Sequence, residues 1–476
     1  MKRLLFKLTI SLLVIFSIYV FPIKEIHAKD QPKYKQIIVF YDSKIPDDFI
    51  KLLNQNYKNV KTTIIPEIGV IKLENSLPDI VETLKEKFPN EIQYIGPETE
   101  FIVPWKGELT NQTTETYQLK SIVKSSFSSS KLEEAELYEL FGWDIKKITE
   151  NGESFNKQKG SHKVKIAIID SGIDFNHPDL KNNIVSPGKS FVPNVHDTED
   201  NIGHGTMIAG TIAANGKMLG VGPHLGIVPY KVMDNWEDGA ESAWIVKAII
   251  EAANDGVDVI NLSLGTYKSL NSSEDKAVIE AYQRAVKYAH DKGVIVVASA
   301  GNDGLDLRNP KKLAEQRGFP NDKQLHLPGG GIHFLLTVAA TNKNDERSFY
   351  SNYGNISVAA PGGDYGPEWL SQQKLDPFSL TLTTYPIDLP KPILSQILNL
   401  PDGYVLTGGT SVSSSKVAGA IGVLIAEQKE KNTKKLTLSM VKKILRESST
   451  DIGKKGKDPE FGYGLINVNK ALELIK

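Results

Sequence analysis

Four short apolar runs constrain this chain more than anything else in its 476 residues. Val164-Lys165-Ile166-Ala167-Ile168-Ile169, Val257-Asp258-Val259-Ile260-Asn261-Leu262, Gly293-Val294-Ile295-Val296-Val297-Ala298 and residues 333–340 are apolar or β-branched at most positions and too short for ordinary helices. The second and third each follow a helical pattern, over 243–254 and 275–291. Apolar strands alternating with helices predict an α/β fold, a parallel sheet flanked by helices on both faces. Ligands and reacting groups then gather at the carboxyl ends of the strands.

Composition narrows the chemistry. The chain has no cysteine, which excludes a disulfide scaffold, a thiolate zinc site and a cysteine nucleophile. Covalent catalysis is left to Ser, Thr, Lys or a carboxylate. Lys and Arg number 56 and Asp and Glu 57, so no basic field argues for a nucleic-acid partner.

The amino-terminal layout reads as an address. Lys2, Arg3 and Lys7 precede an apolar run over 8–21, and Ile26-His27-Ala28 closes it with a small residue. This predicts a secretory signal over 1–28, since the run is short of the ~20 residues a membrane span needs. The segment carries a net +3, so its removal takes the formal charge from −1 to −4. The product is expected to be secreted and extracellular, with no membrane association after signal removal.

Residues 29–105 read as a small module of their own. Strand patterns at 36–41, 62–66, 69–73 and 92–95 alternate with helices at 46–57 and 76–88. The order β-α-β-β-α-β is the α+β, ferredoxin-like pattern. So small a core is thin, and the module is expected to need a partner surface. Residues 106–135, Ser/Thr-rich and weakly periodic, read as an exposed linker, with Lys106, Lys120, Lys124 and Lys131 as candidate cleavage sites. Residues 136–476 form the large domain.

Three strand-to-helix junctions there carry reactive side chains. Asp170 opens Asp170-Ser171-Gly172-Ile173-Asp174, His204 lies in Gly203-His204-Gly205-Thr206, and Ser411 in Gly408-Gly409-Thr410-Ser411. Singly these are an ordinary turn and two ordinary helix starts. Together they supply a nucleophile, a base for its proton and a carboxylate to steady the base, in the order Asp, His, Ser. The glycines around His204 and before Ser411 are expected to allow close substrate approach. The helix start behind Ser411 favours developing negative charge. Asn302, in Ala300-Gly301-Asn302, can donate to an oxyanion beside the Ser411 N–H; an Asn-Asp-Gly turn would also explain it.

With His177-Pro178-Asp179-Leu180, Asn261-Leu262-Ser263-Leu264-Gly265 and Tyr463-Gly464-Leu465-Ile466-Asn467, these motifs resemble the subtilisin-like serine proteases over about residues 140–476. The resemblance implies a subtilisin-like sheet, Asp170, His204 and Ser411 as triad, and Asn302 as oxyanion donor. It also implies an extended substrate segment paired along Ser263, Leu264 and Gly265, and a propeptide at 29–105 acting as chaperone and intramolecular inhibitor. Three departures stand out. Ser415 occupies the place of a proline after the nucleophile. The calcium loop after Ala214 is short, so Asp179 keeps one ligand of a site expected to be lost, and no metal is otherwise assigned. An insert spans 363–402.

Acidic residues gather near the inferred cleft: Asp303, Asp306, Glu237, Asp238 and Glu241. A carboxylate among them would favour Lys or Arg before the scissile bond; a solvated acidic rim is the other reading. The whole plan also resembles the lantibiotic leader peptidases of Gram-positive bacteria, which remove a leader after a basic residue. Against a self-processing leader peptidase stand a general degradative subtilase and a non-catalytic binding protein on the same scaffold. The chemistry requires no cofactor, the partner is a peptide or protein substrate, and the enzyme is expected to be a monomer.

Overall fold

The computed structural model describes residues 34–76, 78–98, 100–101, 137–236 and 239–475. The signal, the whole linker with its four lysines, Glu237 and Asp238 lie outside the described residues.

The amino-terminal module runs β1 (Tyr34–Phe40), α1 (Asp47–Asn56), β2 (Lys61–Ile65), β3 (Val70–Ser76), α2 (Pro78–Lys87) and β4 (Ile92–Pro97); helices are numbered only from ten residues upward. Its antiparallel sheet has the order β2-β3-β1-β4, that of a split βαβ unit. Side chains alternate across the sheet. Ile38, Phe40, Ile71 and Leu73 pack under the two helices with Phe49, Leu53, Ile80 and Leu84. Ile37, Val39 and Val70 face the other way and join a core of the large domain. The partner surface that so thin a module needs is therefore the large domain itself.

After β5 (Glu100–Phe101), the large domain is built on β6 (Lys165–Asp170), β7 (Lys189–Ser190), β8 (Gly226–Lys231), β10 (Val259–Leu262), β12 (Ile295–Ser299), β14 (Leu335–Thr341) and β15 (Val358–Pro361). They form one sheet in the order β15-β14-β12-β10-β6-β8-β7, parallel at every pairing. Alternation along β6 shows the double covering. Ile166 and Ile168 face a core shared with α3 (His204–Ala213) and α6 (Thr410–Glu430). Ala167 and Ile169 face one shared with α4 (Ser242–Asn254) and α5 (Ser273–Asp291). The remaining strands are β9 (Ala240–Glu241), the pair β11 (Thr266–Ser269) and β13 (Gln324–Leu327), and the pair β16 (Thr381–Thr384) and β17 (Tyr404–Thr407); α7 is Leu438–Ser448.

The insert is no loose elaboration. It supplies β16, and Thr384 Oγ1 donates to the Thr206 carbonyl at 2.6 Å, bracing the helix that starts at His204. Phe378 stacks on Phe141 and the Leu380 carbonyl accepts from Trp143 Nε1, so it also ties down residues 137–149. Among the described residues no helix is long and apolar enough to cross a membrane.

Candidate active site

Asp170 ends β6 and is wholly buried. His204 opens α3, and its Nδ1 lies 2.7 and 2.9 Å from the two Asp170 oxygens. Asp170 also accepts from the Ser171 N–H. This pairing sets Nδ1 as the protonated nitrogen and leaves Nε2 free to accept a proton.

The glycines around His204 serve packing more than substrate access, whereas a Cβ on Gly409 would meet only Asn302 Nδ2 and the Ser411 N, at 3.7 and 3.8 Å. A Cβ on Gly205 would fall 2.0 Å from the Gly172 carbonyl oxygen, so α3 can approach the Asp170 turn this closely only without one. Asp200, which spacing alone did not single out, completes the mount. Its carboxylate accepts from the N–H groups of Ile202, Gly203 and Thr206 and from the hydroxyls of Ser171 and Thr206. It thereby satisfies N–H groups that a helix start leaves unpaired.

Ser411 is the second residue of α6. Its Oγ donates to the Ser263 carbonyl at 3.3 Å and, among the described residues, makes no hydrogen bond to His204. Such bonds commonly tighten only with substrate in place. The neighbouring serines are buried and turned to helix carbonyls: Ser413 to Gly409, Ser414 to Ser411 and Ser415 to Val412. At the place expected for proline, Ser415 also bonds Thr211, linking the serine and histidine helices. Asn302 Oδ1 accepts from the N–H and hydroxyl of Thr410, at 2.9 and 2.7 Å. Its oxygen is thus occupied and its Nδ2 is the end left to donate.

A pocket of about 220 Å³ adjoins Ser411 and Asn302, lined also by Gly265, Tyr267, Asp303, Arg317 and His326. The acidic cleft is corrected in three respects. Asp303 lies there, but its carboxylate accepts from the Tyr267 hydroxyl at 2.5 Å, and a cation, Arg317, shares the pocket. Asp306 is buried, and the Arg308 guanidinium beside it holds its carboxyl below the usual carboxylate range. Glu241 is buried in this form and ion-paired with Lys35 and Lys72 of the amino-terminal module. Lys72 has no exposed surface and sits over the Trp244 ring. Ser263 and Leu264 are buried in the connection from β10 to β11, and Gly265 faces the pocket.

The module also engages the large domain through its last strand. β5 pairs antiparallel with β9, Glu100 opposite Glu241 and Phe101 opposite Ala240. The Glu98 carboxylate accepts from the N–H groups of Ser242 and Ala243, supplying α4 with the cap it lacks from its own side chains.

The calcium set does not fit. The Asp179 carboxylate accepts backbone N–H groups of Lys217 and Met218, at 3.2 and 2.9 Å. Donors of this kind repel a cation that wants six to eight oxygens. Among the described residues no group of three or more acidic or histidine side chains is placed to hold a metal.

A hydroxyl, an imidazole and a buried carboxylate, following one another as Asp, His, Ser around a doubly covered parallel sheet, are the equipment of a serine endopeptidase. Comparison with known proteins supplies the family: the subtilase family matches residues 161–464, and the chain belongs to it. It is 30% identical over 448 residues to the epidermin leader peptide-processing serine protease EpiP of Staphylococcus epidermidis, covering 87% of this chain and 89% of that one. The crystal structure of EpiP from Staphylococcus aureus superposes with a TM-score of 0.70 at 28% identity, covering 93% and 98% of the two chains. That of a lanthipeptide protease gives 0.64 at 37% identity, covering 71% and 96%.

Proposed function

We propose that the protein is an exported zymogen that cuts itself within 106–135, freeing it of the module at 29–105, and then removes the leader from a lantibiotic precursor peptide. The observation that carries the zymogen reading is the pairing of β5 with β9, which holds Glu241, one of the acidic residues expected near the cleft. The leader-processing reading is supported by the similarity to EpiP along nearly the whole of both chains.

In the proposed chemistry His204 Nε2 takes the Ser411 proton as Oγ attacks the scissile carbonyl, while Asp170 steadies the imidazolium. The oxyanion receives hydrogen bonds from Asn302 Nδ2 and the Ser411 N–H, at a helix start. Collapse returns the proton to the leaving amine and leaves an acyl-Ser411, which water, activated by the same imidazole, hydrolyses. No step needs a metal. A basic residue before the cut, expected from an acidic cleft, loses its support once Arg317 is seen in the pocket.

Intact-mass spectrometry of wild type and Ser411→Ala tests this. Wild type is expected to shed its amino-terminal module and to cut a precursor peptide once, at the leader boundary, whereas Ser411→Ala stays full length. Processing that persists in Ser411→Ala, or cuts scattered along the precursor, would overturn the reading.

A further inference from the structure

A pocket touching both Ser411 and Asn302 receives the side chain of the residue whose carbonyl is attacked. Its polar lining is graded by exposure, from buried His326 through half-buried Arg317 to exposed Asp303. At the floor His326 is buried, and its Nδ1 has no hydrogen-bond partner among the described residues. Burial pushes its imidazole down to about 4, so at neutral pH it is uncharged, with one nitrogen able to donate. Half-buried Arg317 sits over Tyr267, its Cζ 3.9 Å from the ring centroid. One of its N–H groups goes to Gln324, and Phe319 lies on it at 5.6 Å; among the described residues the guanidinium makes no other side-chain hydrogen bond.

The anions nearby are already engaged. Asp303 is exposed at the rim and takes the Tyr267 hydroxyl. Asp322 accepts from the Ser269 hydroxyl, the Lys323 N–H and Gln324 Nε2. Among the described residues neither forms a salt bridge with Arg317. Burial would raise the Asp322 carboxyl, but hydrogen bonds from Ser269 and Gln324 hold it below its usual range, with the Arg317 charge adding to them. Solvent and salt weaken a rim carboxylate more than a cation held on a ring face in a recess. A side chain that reaches the floor therefore meets donors, and the anion stays behind at the entrance.

We infer that this pocket selects glutamate before the scissile bond, with Arg317 as the residue that reads its carboxylate. The inference rests on the endopeptidase reading above and sharpens its substrate. A planar guanidinium with unpaired N–H groups matches a carboxylate in both geometry and charge. Hydrogen bonds to charged groups of this kind correspond to about tenfold to hundredfold discrimination.

The test is a set of five peptides, identical except for Glu, Gln, Arg, Phe or Leu before the cut, with kcat/KM measured for each. Active sites are titrated with a fluorophosphonate. Wild type is expected to prefer Glu to Gln by about tenfold or more, and Glu to Arg. Arg317→Gln brings the Glu/Gln ratio to about one, and Arg317→Lys restores part of it. A wild type that takes Arg or Phe first, or an Arg317→Gln protein that keeps the ratio, overturns the inference. Competitive inhibition of wild type by peptides ending in Glu or Gln decides the matter even if the variant does not fold, equal inhibition counting against it. If Ser411 is labelled but Glu is not preferred, only the pocket inference falls. If nothing is labelled or cut, the endopeptidase reading falls with it.

Discussion

His326 and Arg317 show how single residues far apart in sequence make one site. Arg317 follows a short charged helix, Pro310–Gln316, that nothing in the sequence marks as functional. His326 lies in β13, and only the pairing of β13 with β11 brings it under Gly265 and Gly301. The triad was legible because each member stands in a short glycine-bounded motif; the pocket was not, because it is made by convergence. His326 also carries a stability prediction. Its imidazole titrates near 6.5 when unfolded and at about 4 in the fold. Between those values only the unfolded chain gains the proton, so stability falls as pH drops through that window, by on the order of 3 kcal/mol. Urea unfolding of Ser411→Ala between about pH 7 and about pH 4 should show this loss, and adding His326→Gln should flatten it. An unchanged slope would contradict the assignment.

Elements followed the sequence where the pattern was unbroken. β6, β10, β12 and β14 and the helices between them fall where the apolar runs place them. β8 was missed because Pro229 interrupts its run, and proline usually marks an edge. Here β7 is short and pairs only with Tyr230 and Lys231, so Pro229 lies beside the end of that ladder. The helix α6 holds a contact no pattern foretold. Lys416, without exposed surface, is ion-paired at 2.8 Å with Asp144, itself almost fully buried, in the helix Trp143–Thr149. Burial lowers the Lys416 pKa, and the Asp144 carboxylate opposes that shift. Asp144→Asn leaves the ammonium without its counter-charge and should cost about 3–5 kcal/mol, read as a fall in Tm in the Ser411→Ala background. Replacing both with apolar residues, Lys416→Met with Asp144→Leu, should recover most of it. A double variant as unstable as the single would show that the pair is not the source.

At the scale of the whole molecule, charge that looked like a property of the cleft belongs to the joint between two parts. Glu241 reads as an acidic cleft residue only until the module is in place, when Lys35 and Lys72 cover it. Arg284 of α5 adds donors to the Phe40 and Ile68 carbonyls, and Glu98 caps α4. The module thus caps one helix and neutralises a carboxylate on the domain it pairs with, in keeping with the proposed propeptide. With no cysteine to form a disulfide, the large domain depends on its two sheet cores and on buried pairs such as Lys416 with Asp144.

All of this presumes that Ser411, activated by His204, is the nucleophile. The most direct measurement is fluorophosphonate labelling of the processed enzyme, followed by peptide mapping. The account predicts one adduct, on Ser411, absent from Ser411→Ala and lost from a His204→Ala protein, each variant first freed of its module by wild-type enzyme added in trans. An adduct on Ser413, Ser414 or Ser415, or undiminished labelling of His204→Ala, would contradict it.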